Sequence, residues 1–234
     1  VDKKIKERGI IFNGEMVRAI LSGNKTQTRR ILSPHQLNMI DTASSIGECY
    51  PLDSGQRHEN SQSYYREWCP FGKVGDRLWV REAFRVHSRA TDVATLAYKA
   101  SERQSWTQQV ARVPIELCTK QVSPEAWTPS IHMPRWASRI TLEITDIRVE
   151  RLHGINEEDA KAEGVRQGVR KIHHEADNEL IYCNYLASKL DDASEWFDSP
   201  IDSFLSLWES IYGAESWQNG PWVWVVEFKR VEAA

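Results

Sequence analysis

The stretch Ser138–Leu152, reading SRITLEITDIRVERL, is the strongest constraint on what this chain can fold into. Ile140, Leu142 and Ile144 recur at every second residue, and Ile147 and Val149 continue on the opposite parity before Leu152. Period-two apolar spacing turns one face of the backbone toward a core, so the segment predicts a long β-strand. The change of parity near Asp146 predicts a bend or bulge, because one extra residue moves the apolar set to the other face. A strand of this length needs partners. Gly9–Phe12, Lys25–Leu32, Arg77–Glu82, Thr95–Lys99 and Pro221–Val231 are the segments whose patterns can supply them.

Helical signals fall between these strands. Met16, Val17, Ile20 and Leu21 share a helical face opened by Asn13 or Gly14 and closed at Gly23. Asn156 caps a short helix with Glu157, Glu158 and Asp159 in its first turn, ending at Gly164. Ile201–Ile211 is amphipathic, and residues 172–190 have helical potential on an uneven apolar face. Residues 1–9 are charged and read as a frayed, disordered segment. Residues 33–75 and 85–135 lack a sustained period and read as irregular, Val122–Met133 as loop. The expected fold is α+β: one domain over residues 10–232, a small curved, barrel-like sheet with helices on its rim and inserts near 33–70, 85–130 and 165–200.

Composition excludes several classes. Lys plus Arg is 30 and Asp plus Glu 33, a formal charge of -3, which argues against a domain that coats duplex DNA by bulk charge. No apolar run approaches the ~20 residues of a membrane-spanning helix. The first residues lack the order of a secretory signal, so a cytoplasmic protein is expected. Cys49, Cys69, Cys118 and Cys183 form no C-x-x-C pair, so reduced thiols and no metal or other cofactor are expected; a convergence of Cys49, His58, Cys69 and His35 is the weaker reading. The 10 Trp residues suit cores, interfaces and base-stacking surfaces alike.

The densest polar cluster is Gly23-Asn24-Lys25-Thr26-Gln27-Thr28-Arg29-Arg30. A solvated strand start is the plain reading of such a charge run. Against it, Lys25 and Thr28 lie three apart across a turn, and apolar segments flank them on both sides. A desolvated lysine has a lowered pKa and can act as a base. A second cluster, Ile131–Arg139, alternates cationic and aromatic side chains around His132, Arg135, Trp136 and Arg139, with Trp79 and Arg81 as possible neighbours. Single-strand binders use that mixture, and so does an ordinary loop hinge. The pair His173-His174 beside Glu175 and Asp177 reads as surface-exposed.

The stretch Phe12–Arg30 resembles the signature of the ASCH family, whose fold is related to the PUA domain. That family carries a Gly-x-Lys-x-x-x-x-Arg pattern after its first helix, met here by Gly23, Lys25 and Arg30. Cys69–Glu82, Ile131–Leu152, Glu157–Gly164 and Pro221–Lys229 extend the resemblance to longer ASCH-like proteins of phages and prophages. With Thr26 and Thr28, the motif is similar to that of a small bacterial subgroup, the N(4)-acetylcytidine amidohydrolases. That resemblance implies Lys25 and Thr28 as catalytic residues, joined by Glu163 from the segment Asp159–Gly164 after the long strand. The implied chemistry is coherent. Thr28 or a water attacks the acyl carbon, Lys25 takes the proton, and Glu163 passes a proton to the leaving amine or holds Lys25. Arg30, Arg81, Trp79 and Trp136 are the expected substrate contacts for a nucleoside, or for RNA. Two other readings share the lysine and arginines: a non-catalytic RNA- or nucleotide-binding module, and a ribonuclease.

Overall fold

A computed structural model describes residues 5–54, 59–171 and 178–231. In chain order the elements are β1 (Glu7–Ile11), α1 (Gly14–Leu21), β2 (Gln27–Ile31), α2 (Pro34–Ser45), α3 (Glu59–Glu67), β3 (Arg77–Arg81), β4 (Phe84–Arg89) and β5 (Val93–Tyr98). They continue with α4 (Trp106–Gln109), β6 (Val110–Pro114), β7 (Thr141–Arg151), α5 (Glu157–Ala162), β8 (Gln167–Lys171), β9 (Asn178–Tyr182), α6 (Pro200–Tyr212), α7 (Ala214–Gln218) and β10 (Trp222–Val231). The class is α+β, and the strands form open sheets of five, three and two strands rather than a closed barrel. The chain divides into two compact units. The first comprises Val1–Gly23, Val74–Ile144 and Phe228–Ala234, the second Asn24–Lys73 and Thr145–Glu227.

In the first unit β1 runs parallel to β3, pairing Gly9 with Trp79, and β3 runs antiparallel to the start of β7, pairing Leu78 with Leu142. A Cβ at Gly9 would lie 2.8 Å from the Trp79 ring, so only glycine lets that indole cross β1. β1 starts at Glu7, inside the stretch expected to be frayed. Asn13 caps α1 through the Met16 amide, as its sequence predicts. The segment 85–135 departs from expectation. It holds the antiparallel meander β4–β5–β6, and Val122–Met133 stays largely irregular. A register shift between Val86 and Ser88 breaks the alternation of β4. Phe84, Val86, Leu96, Tyr98 and Met133 bury the core behind that meander. Beside it Arg139 grips Glu82 with two hydrogen bonds, 2.8 and 3.0 Å, and lies over the Tyr98 ring at 4.0 Å. Burial raises the Glu82 carboxyl despite Arg139, and raises the Tyr98 phenol too.

In the second unit β2 and β10 pair antiparallel, with Thr28 opposite Val226 and Arg30 opposite Trp224. Residues 33–75, expected to be irregular, contain two helices. Ser33 and Gln36 form a reciprocal capping box with Pro34 at the first helical position of α2. α3 supplies side chains that replace a strand neighbour. Gln62 accepts from the Val149 amide and donates to its carbonyl, at 2.9 and 3.0 Å, and Arg66 donates to the Ile147 carbonyl at 2.7 Å. Buried backbone groups must find partners, and here side chains provide them. The parity change in β7 is present: Leu142 and Ile144 are buried before Asp146, Ile147 and Val149 after it.

The helical reading of 172–190 is corrected. Asn178–Tyr182 is a strand that pairs with β8, residues 172–177 lie outside the described residues, and turns follow. A Cβ at Gly168 would meet the Trp196 ring at 2.7 Å, so tertiary packing of that indole decides the local conformation. α6 matches expectation, with Ser199 capping through the Asp202 amide and Pro200 in its first turn.

Candidate functional site

Four residues of the Gly23–Arg30 cluster reach one helix and its C-cap. Lys25 forms an isolated bridge with Glu163, and the Thr26 amide donates to the Ala162 carbonyl at 2.9 Å. Gln27 donates to the Asp159 carbonyl at 2.9 Å, and Arg29 reaches both Asp159 and Glu163. Odd-numbered residues share this contact because strand side chains alternate, so Thr28 and Arg30 project from the other face of β2. On the helix side, Asn156 caps α5 through the Asp159 amide, and Glu163 is its last turn's C-cap. Gly164 follows with φ of 84°, the left-handed conformation that ends a helix at glycine. The short helix thereby fixes Glu163 at its end.

Lys25 and Glu163 are each 2% exposed. Lys25 Nζ donates to Glu163 Oε2 at 2.9 Å and to the Glu163 carbonyl at 2.7 Å. Burial pushes the Lys25 amine below the ordinary lysine range. Glu163 opposes that shift, while the positive charges of Arg30 and Arg29 add to it. Both bonds are N–H donations, which the amine makes in either protonation state; the lowered proton affinity favours the form whose lone pair is a base. The solvated-strand reading of this cluster therefore fails: Lys25, Gln27, Thr28 and Arg29 are all buried.

A wider network that sequence reasoning missed surrounds the pair. Arg29 Nη1 donates to Glu163 Oε1 at 3.2 Å and Nη2 to Asp159 Oδ2 at 2.8 Å, with Glu150 Oε2 at 3.6 Å. Arg148 continues the chain, meeting Glu150 at 2.7 Å, Asp159 at 3.3 Å and Glu227. Phe204 of α6 lies beneath the Arg29 guanidinium at 5.9 Å. The available signal was the alternation of Lys25, Gln27 and Arg29 against an acidic helix.

Thr28 is 1% exposed on β2. Arg30 lies on the same face and interacts electrostatically with Lys25. The remaining expected substrate contacts, Trp79, Arg81 and Trp136, belong to the first unit. There the Arg81 guanidinium donates to the Ile131 carbonyl and lies 5.4 Å from the Trp79 ring. Trp136 packs edge-on against Phe84, with ring centroids 6.3 Å apart. The arginines of the Ile131–Arg139 cluster are engaged as well, Arg135 with Glu7 at 2.8 Å and Arg139 with Glu82. His132 is exposed, and His173 and His174 lie outside the described residues. Among the described residues no cluster of three His, Cys, Asp or Glu side chains could hold a metal ion, and no helix is long and apolar enough to cross a membrane. The four cysteines are unbridged.

Comparison with family models, curated proteins and solved structures finds no match to this chain.

Proposed function

We propose that the protein is a metal-independent amidohydrolase of ASCH type, on a PUA-like fold, that removes the acyl group from the exocyclic nitrogen of N(4)-acetylcytidine-like nucleosides in the cytoplasm. The observation that carries this reading is the buried Lys25–Glu163 pair: an amine below its ordinary range, hydrogen-bonded to a carboxylate at 2.9 Å. A buried cation–carboxylate pair adds little stability over apolar packing, which favours a functional reason for its presence.

In the proposed reaction, Lys25 Nζ accepts the proton of an attacking water as the water oxygen bonds to the acyl carbon. The C–N bond then breaks, its electron pair goes to the exocyclic nitrogen, and the Lys25 proton follows it by way of Glu163. Cytosine leaves more readily than an alkyl amine, because its ring delocalises the nitrogen lone pair. Arg30, whose charge acts on Lys25, is the cation assigned to the developing oxyanion or the nucleoside in this reading.

The test is to incubate the protein with N(4)-acetylcytidine and quantify products. Equimolar cytidine and acetate, with a single-stranded RNA left uncut, are expected. Intact nucleoside after incubation with folded protein, or cut RNA, overturns the reading. Intact nucleoside alongside salt-sensitive RNA binding would point to the binding module instead.

A further inference from the structure

Arg29 occupies a position that the Gly-x-Lys-x-x-x-x-Arg pattern leaves open, and both terminal nitrogens of its guanidinium are held by carboxylates. Its side chain is fully buried. One terminal nitrogen donates to Glu163 Oε1 at 3.2 Å and the other to Asp159 Oδ2 at 2.8 Å. The two carboxylates lie four residues apart on α5, one in its first turn and one at its C-cap. A single planar guanidinium thus spans the helix that carries Glu163. Lys25 holds the same carboxylate by its other oxygen, Oε2.

We propose that Arg29 is a positioning residue for the Lys25–Glu163 pair, fixing Glu163 by Oε1 so that Oε2 meets Lys25 in one orientation. The inference rests on the catalytic reading of that pair and adds a residue to it. Glu163 Oε1 and Oε2 face different cations, so neither the carboxylate plane nor its distance from Lys25 is set by Lys25 alone. Glu150, 3.6 Å from Arg29, and Arg148 complete the surroundings. Arg148 bonds to Glu150, Asp159 and Glu227, which confines the acidic partners of Arg29 in turn.

The arrangement has an electrostatic consequence. The charged groups that act on Lys25 include Glu163 at the end of α5 and Arg29 and Arg30 on β2. Arg29 draws on the charge of Glu163 and repels a second cation beside it. Both effects favour the neutral amine. Replacing Arg29 by an uncharged side chain leaves Glu163 wholly to Lys25, so the lysine holds its proton to higher pH.

The decisive experiment reads Lys25 itself. Lysine labelled with 13C at Cε is incorporated into the full chain, and the Lys25 resonance is assigned by its loss in Lys25→Met. Its titration midpoint is followed in the unsubstituted protein, in R29K and in R29Q. The expected order is unsubstituted lowest, R29K between, and R29Q higher by about one pH unit, in line with the loss of one nearby charge. In R29K the charge survives, but one ammonium cannot take Glu163 and Asp159 together, so the rise is smaller. Activity measured in parallel is expected to show the rising limb of kcat against pH moving up with the midpoint. A folded R29Q whose Lys25 midpoint equals that of the unsubstituted protein overturns the inference, since a purely structural arginine changes stability alone. Should R29Q fail to fold, an unmoved midpoint in R29K overturns it. The titration needs no substrate, so an inert unsubstituted protein would reject the deacylase reading without touching the result on Arg29.

Discussion

Lys25 is the residue on which the proposed chemistry turns. Its amine is buried and its proton affinity is lowered, first by loss of water and then by Arg30 and Arg29, against the pull of Glu163. The sign of the resulting pH dependence follows from linkage. Between its lowered native pKa and the ordinary lysine value, the unfolded chain carries a proton that the folded chain lacks. This component of stability is therefore complete above the ordinary value and is lost as pH falls through the native one. Lys25→Met removes it, while Arg29 still neutralises Glu163. Urea unfolding at about pH 7 and about pH 10 is expected to show a smaller rise, or a steeper fall, in stability with pH for the methionine variant than for the unsubstituted protein. Parallel curves would contradict a lowered Lys25.

At the scale of elements, α5 is a short helix with one critical terminus. It has six residues, too few for independent stability, and its ends are held by Asn156 and Gly164. Gly164→Ala forces a side chain into a φ of 84°, at a cost of about 1–2 kcal/mol. Because Glu163 precedes it, activity is expected to fall as well, while Asn156→Ala loses a comparable ~1 kcal/mol without moving Glu163 directly. Urea midpoints and kcat of the two variants check this. Equal activity in both would show that the C-terminal turn does not position Glu163.

Element by element, legibility tracked how local the cause was. The cap at Asn156, the stop at Gly164 and the parity change at Asp146 are written within a few residues, and all three are present. The start of α2 was equally local, a capping box from Ser33 to Gln36 with Pro34 between them, but the polar sequence behind it hid the helix. β4 was obscured by its own register shift between Val86 and Ser88. β8 and β9 were not readable locally at all, because Trp196 over Gly168 and the pairing of Val169 with Leu180 decide their conformation from outside the segment. In the candidate site, Lys25, Thr28 and Glu163 were reached through a motif. Arg29 and its partners Asp159 and Glu150 became visible only once β2 and α5 met in space.

On the scale of the whole molecule, two units divide the expected site residues. Lys25, Thr28, Arg30 and Glu163 belong to one, Trp79, Arg81 and Trp136 to the other, where each of those three has packing or hydrogen-bonding work of its own. Global charge speaks to the substrate. The chain carries a formal charge of -3, and Lys25, Arg29 and Arg148 are met by four acidic residues, Glu150, Asp159, Glu163 and Glu227. An enzyme acting on a free nucleoside has no phosphate contacts to screen. Its kcat/KM is expected to change little between 50 and 200 mM salt, where a protein held by 6–10 phosphates loses about 10³–10⁵ in affinity. A steep salt dependence would contradict a nucleoside substrate and favour a polynucleotide.

In the proposed reaction the buried Lys25–Glu163 pair performs acid–base chemistry on an acylated cytosine. Its most direct test compares kcat/KM for N(4)-acetylcytidine between the unsubstituted protein and Lys25→Met, with near-ultraviolet circular dichroism confirming that both are folded. Loss of about 10²–10⁴ is expected in the folded variant, the range a positioned general base contributes. A folded methionine variant that retains full turnover would contradict it.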